Sequence, residues 1–174
     1  MTFEGEKVET LEAIRSRRSV RKFKALLPSE ELVKKVLEAG IWAPSGMNNQ
    51  PWAFVLVKDK TVREELSKLT LYSDIILSAP LCIAVFLDHR KSYDYVKDVQ
   101  STGACIQNML LAAHDLGLGA VWLGEILKNK EAVRKLLKVP QDCELMAVVA
   151  LGYPDEAPPS GKRRPLESFL IGTF

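Results

Sequence analysis

Two short stretches concentrate positive charge. "RSRRSVRKF", Arg15 to Phe23, holds Arg15, Arg17, Arg18, Arg21 and Lys22 around Ser19, with Lys24 just beyond. Cations at a helix end are ordinary, because they complement the negative end of the helix dipole. One or two suffice for that, and this cluster is denser. Guanidinium forks bind phosphate bidentately, and a serine hydroxyl adds a donor. An anion site is therefore favoured over a solvated helix end. A nucleic-acid patch competes for the same charges, but no aromatic interleaving suited to base stacking is present. The second stretch, "SGKRRP", Ser160 to Pro165, reads alone as a basic linker or localisation tag. Taken with the first, it fits two arms closing on one phosphate.

Two further stretches could meet a flat ligand. "APSGMNNQPW", Ala43 to Trp52, is a loop stiffened by Pro44 and Pro51 and rich in amides: Asn48, Asn49 and Gln50. Amides read the edge of a heterocycle without changing charge. A plain turn before a strand, with Trp52 in the core, explains the same residues equally well. "LGLGAVWLGEI", Leu116 to Ile126, suggests a dinucleotide fingerprint, but Trp122 stands where the third glycine belongs, and the glycines follow a helical pattern instead of a strand. The remaining readings are a helix C-cap at Gly117, a turn at Gly124, and close backbone approach to a ligand near Trp122 to Glu125. No GxSxG, Walker loop, base-paired nucleophile or close carboxylate pair occurs. If the chain is an enzyme, a bound cofactor carries the chemistry.

These stretches sit between legible elements. Val8 to Arg17 has helical spacing. Ser29 is an N-cap with Glu30 and Glu31 in the first turn of a helix whose apolar stripe is Leu32, Val33, Val36, Leu37 and Ile41, weakened by Gly40 and stopped by Pro44. Ala53 to Val57 and Leu81 to Asp88 read as buried strands, with helical pieces at Val62 to Leu69 and in "SDIILSAP" between them. "VKDVQSTGACIQNMLLAAHDLGLG" is the longest helix, and its Gly103, Ala104, Ala112 and Ala113 permit close packing. "AVWL" is a short strand, Asn129 caps a helix to about Leu137, and "ELMAVVALGYP" is a further buried strand. The pattern predicts a sheet covered by helices on both faces, without the repeated βαβ units of a Rossmann fold. Residues from about 155 to 174 read as an extended arm.

The length, 174 residues, suits one domain, 1–174, and the apolar (47%) and charged (26%) fractions are those of a globular chain. A net charge of +2 gives no global attraction to nucleic acid. No apolar run approaches the ~20 residues that span a bilayer. The acidic N-terminus has no hydrophobic h-region, so a cytoplasmic protein is expected. Cys82, Cys105 and Cys143 read as reduced core thiols, and His89 and His114 lack partners at metal-ligand spacing.

"RRSVRKF", "LEAGIWAPSGMNNQPWAFVLV", "GACIQNMLLAAHDLGLGAVWLG" and "GKRRPLESFL", in that order, resemble the FMN-dependent nitroreductase family over nearly the whole chain. The resemblance implies an α+β fold, a three-layer α/β/α sandwich around a mixed, mainly antiparallel sheet. It also implies an intertwined homodimer with FMN at the subunit interface and a C-terminal arm extending onto the partner. Arg17, Arg18 and Ser19 then resemble the phosphate and ribityl grip, and Arg21 the cation at the pyrimidine edge. Lys162 and Arg164 resemble the tail pair that returns to the phosphate, with Arg163 able to substitute for one of them. Pro44, Ser45, Gly46, Asn48 and Gln50 resemble the loop given by the partner subunit. Trp122, Leu123, Gly124 and Glu125 resemble the segment beneath the ring. The implied reaction is ping-pong: NADH or NADPH supplies hydride, and a nitro compound, quinone or similar acceptor then takes its place. Family variants include reductive dehalogenases, for which "LTLYSD", Leu69 to Asp74, is a candidate lid. A non-enzymatic flavin carrier would use the same binding residues. The chain is shorter than the large members, so an open site is expected.

Overall fold

The structure is a computed structural model and describes residues 9–174. Val8, the expected start of the first helix, lies outside them. The elements run α1 (Thr10–Ser16), α2 (Glu30–Ile41), β1 (Trp52–Val57), α3 (Lys60–Ser67), α4 (Ser73–Ser78), β2 (Leu81–Asp88), α5 (Tyr95–Asp115), β3 (Gly119–Leu123), α6 (Lys130–Leu136) and β4 (Cys143–Gly152), with short 3-10 turns between and after them. The strands form one sheet in the order β1-β2-β4-β3. All three pairings are antiparallel, and among the described residues the parallel component is a single bridge from Ser19 to Ala120 at the β3 edge.

Period-2 alternation sorts β2 between two cores. Cys82, Ala84 and Phe86 face a layer that includes Leu66 of α3, Ile76 of α4 and Val133 of α6. Leu81, Ile83 and Val85 face Val33 and Val36 of α2 and Cys105, Ile106 and Met109 of α5. The result is three layers, helix–sheet–helix. The β2–β4 register shifts by one residue between Val85 and Phe86. That bulge moves Leu145 and Ala147 of β4 onto opposite faces, although their spacing alone would put them on one.

Local signals set the helix ends. Ser29 Oγ accepts from Leu32 N at the start of α2, and Asp94 Oδ1 accepts from Lys97 N at the start of α5. Gly117, at φ 72°, ends α5 in the left-handed conformation that glycine adopts without a Cβ clash. Three expectations change. Asn129 precedes α6 without a capping bond: it is the last residue of a 3-10 turn that runs straight into the helix, and its Nδ2 donates to Leu69 O. Close helix contact falls at Gly40, where a Cβ would lie 2.7 Å from Met109 Cγ; at Gly103 it would meet only Trp122, at 3.6 Å. Ile41, expected on the α2 stripe, is exposed.

Candidate cofactor site

Residues 17–24 leave α1 as an extended strip lying between the β3 edge and the root of the C-terminal arm. Val20 and Phe23 are buried and fix its position. Val20 N donates to Ala120 O, and Phe23 N to Ser78 Oγ. On the other side, Lys24 N donates to Tyr153 O and Asp155 N to Lys22 O. The Glu156 carboxylate accepts from the backbone N–H groups of both Arg21 and Lys22. The strip therefore holds Arg17, Arg18, Ser19 and Arg21 on one backbone, tied at both edges.

Three guanidinium groups gather at its start. Burial, with Arg163 and Arg18 close by, lowers the Arg17 pKa. Arg18 Nη1 donates to Arg15 O and Arg17 O, and the arm lies on its guanidinium: a Cβ on Gly161 would sit 3.3 Å from Arg18 Cζ. The Nε atoms of Arg17 and Arg18 are buried without hydrogen-bond partners. Buried cationic donors with no acceptor are costly, and an anion relieves both the missing bonds and the mutual repulsion. A bound phosphate fits this site on charge and on donor inventory.

In the tail, Arg163 is the residue that stands beside Arg17, while Arg164 packs over the Phe169 ring, 4.4 Å from its centroid. The two residues singled out by sequence, Lys162 and Arg164, flank it. All three are exposed on the arm.

A cavity of about 340 Å³ opens beside the cluster, bounded by Ser16, Arg17, Arg18, His114, Leu118 and Glu156 among others. His114, considered in the sequence only as a metal ligand, lies 2.7 Å from Ser16 Oγ. Burial, then the charge of Arg17, lowers its pKa.

The amide loop precedes β1. Met47, Asn48 and Gln50 have φ of 54°, 56° and 46°. Left-handed residues other than glycine cost roughly 1–3 kcal/mol each, less for asparagine. Internal bonds offset part of this: Gln50 N donates to Ser45 Oγ, and Gln50 Nε2 to Asn48 O. The remaining anchor is Asn49, whose Nδ2 donates to Lys91 O and to Asp98 Oδ1. Pro44, Asn48 and Gln50 stay exposed, while Ser45 and Gly46 are half-buried. Among the described residues, no side-chain hydrogen bond joins this loop to the Arg17–Arg21 strip of the same chain.

At its C-terminal end, β3 turns its Trp122 side chain outward and buries Leu123. Gly124 follows, and its carbonyl accepts from Leu127 N. Glu125 is engaged by Lys128 at 2.6 Å, Thr70 Oγ1 at 2.7 Å and Leu71 N at 2.9 Å. Those bonds, led by Lys128, hold its carboxyl down at about 2. The candidate lid is thus fastened to Glu125, with Leu71 and Tyr72 exposed.

Burial lifts the Cys82 and Cys105 thiols to about 12, so neither supplies a thiolate.

The nitroreductase family model matches residues 14–72 and 67–153 of the chain. A protein of Methanothermobacter thermautotrophicus assigned as NADH dehydrogenase/NAD(P)H nitroreductase is 37% identical over 156 residues, 87% of this chain and 81% of its own. A solved structure from Desulfovibrio desulfuricans, assigned as a nitroreductase and in complex with FMN, has a TM-score of 0.89 and 44% identity over 94% of this chain and 95% of that one. NADPH:FMN oxidoreductase of Vibrio harveyi, complexed with NAD+, has a TM-score of 0.88 and 27% identity over 95% of this chain and 77% of its own.

Proposed function

We propose a site and a working cycle for this chain, which belongs to the nitroreductase family and is an FMN-dependent NAD(P)H oxidoreductase. Arg17, Arg18 and Arg163 take the FMN phosphate, with Lys162 and Arg164 adding charge from the arm. The observation that carries this is the pair of buried, partnerless Nε atoms in one cationic cluster. Ser19 reaches the ribityl chain. Arg21 would hold a cation at the pyrimidine edge, where positive charge favours an electron-accepting group. Trp122, Leu123, Gly124 and Glu125 would line the ring through backbone groups. Pro44, Ser45, Gly46, Asn48 and Gln50 border it from the partner subunit of a homodimer, consistent with a loop that makes no side-chain hydrogen bond to the strip of its own chain.

FMN, when bound, supplies the redox step, accepting hydride from NADH or NADPH and passing reducing equivalents to a nitro compound, quinone or similar acceptor. The chain's residues bind and orient, and no side chain is required as acid or base. The chain acts as one domain in the cytoplasm; among the described residues no helix is long and apolar enough to cross a membrane.

The test is the visible spectrum of the purified protein, followed by anaerobic NADH and NADPH addition. Flavin bands that bleach support the cycle. Bands that persist indicate a carrier or another electron donor. A colourless protein that takes up no FMN removes the assignment. Turnover of halotyrosine without turnover of nitroaromatics would move the acceptor to a dehalogenation substrate.

A further inference from the structure

Asp98 lies in the first turn of α5 and is fully buried. Its carboxylate collects donors from two directions. Oδ1 accepts from Asn49 Nδ2 at 2.7 Å. Oδ2 accepts from Ser92 Oγ at 2.5 Å, Tyr93 N at 3.1 Å and Asp94 N at 3.3 Å. Burial pushes this carboxyl up, but the four donors outweigh it and hold it below its ordinary value. It is a buried anion whose hydrogen bonding is complete, the condition under which a buried charge is tolerated.

Two of its contacts reach the amide loop. Asn49 spends both Nδ2 hydrogens on the α5 side, one on Asp98 and one on Lys91 O. Tyr93, whose backbone is held by Asp98, closes over Gly46: a Cβ there would lie 1.9 Å from the Tyr93 hydroxyl. The loop otherwise carries three left-handed non-glycine residues and exposes Met47, Asn48 and Gln50. A segment this unfavourable in isolation keeps one shape only when its surroundings dictate it.

We infer that Asp98 is a positioning residue for the flavin site: through Asn49 and Tyr93 it locks the left-handed shape of residues 45–50, so that the loop is preformed before FMN arrives. The inference rests on the proposed placement of this loop against the flavin. A preformed loop costs less ordering on binding, so losing the anchor weakens FMN without removing any group that touches it.

The experiment uses the full-length protein and four variants: Asn49→Ala, Asp98→Asn, Asn48→Ala and Gln50→Ala. FMN affinity, the visible circular dichroism of bound FMN and the sedimentation of the holoprotein are measured for each. Expected for Asn49→Ala and Asp98→Asn is FMN binding weakened roughly tenfold or more, with altered visible dichroism and unchanged oligomeric state. A role confined to capping α5 would lower the melting temperature and leave the dichroism of bound FMN untouched, which overturns the inference. If Asn48→Ala and Gln50→Ala disturb the flavin while Asn49→Ala does not, the loop placement stands and the anchor role falls. If none of the loop variants disturbs it, the placement itself fails and takes the inference with it. Should Asp98→Asn not fold, Asn49→Ala alone still decides.

Discussion

Replacing Arg17 with methionine should move two quantities in opposite directions. In the flavin-bound protein Arg17 would supply charge-assisted hydrogen bonds to a phosphate, each worth about 1.5–3 kcal/mol. At about 1.4 kcal/mol per tenfold, FMN affinity falls roughly 10- to 150-fold. In the flavin-free protein the same side chain is a liability. It is half-buried, its Nε has no partner, and Arg18 and Arg163 stand beside it. Methionine keeps the packing of the side-chain stem and removes the orphaned donor and the repulsion. Apo Arg17→Met should therefore melt at the same temperature as the unaltered apoprotein or higher. Affinity is read by quenching of FMN fluorescence on titration with apoprotein, and apo stability by thermal unfolding in phosphate-free buffer. Unchanged affinity would refute the anion role. A fall in apo stability as large as the fall in affinity would show that Arg17 braces the fold instead.

Gly119→Ala places a methyl 2.8 Å from Val20 Cβ and Cγ1, where the strip meets β3. It should destabilise the protein by about 1–3 kcal/mol in urea unfolding and weaken FMN as the strip is displaced, whereas retention of both would show that the strip is loosely held. Truncation before Lys162 removes Arg163 and should cost flavin retention through gel filtration; a truncated protein that stays yellow excludes the arm from the grip. Glu125 has a folded-state pKa of about 2, below its ordinary 4.5. Its folded form binds fewer protons than the unfolded chain in that window, so its contribution is present above about 4.5 and is lost as pH falls towards 2. Glu125→Gln should flatten this part of the acid unfolding profile and loosen Thr70 and Leu71; an unchanged profile would mean the carboxylate gains nothing from folding.

Local patterns carried most of the fold in the sequence. The apolar run of β2, the Ser29 cap and the glycine at the end of α5 are each decided within a few residues, and each forms where expected. The strand order β1-β2-β4-β3 follows from long-range pairing and has no local mark. Asn129 shows the converse: a good capping residue in sequence donates its amide to Leu69, 60 positions away in the chain but in the same layer. The arginine cluster was legible because its density exceeded any structural need. Which tail cation stands beside Arg17 was not, because the course of the arm over the strip is set by a contact between distant parts of the chain, Gly161 against Arg18. Asp98 left no signal, since an acid in the first turn of a helix is ordinary and its partner Asn49 lies in a separate loop.

The pairing of the 17–24 strip with residues 153–156, and the resting of Gly161 on Arg18, mean that the cationic cluster is a clasp between early and late parts of the polypeptide. Arg17 and Arg18 lie near the start of the sequence and Arg163 near its end, so they meet only through the folded sheet between them. If the clasp is the flavin grip proposed above, a chain without the arm holds a complete four-stranded sheet and still lacks one side of the site.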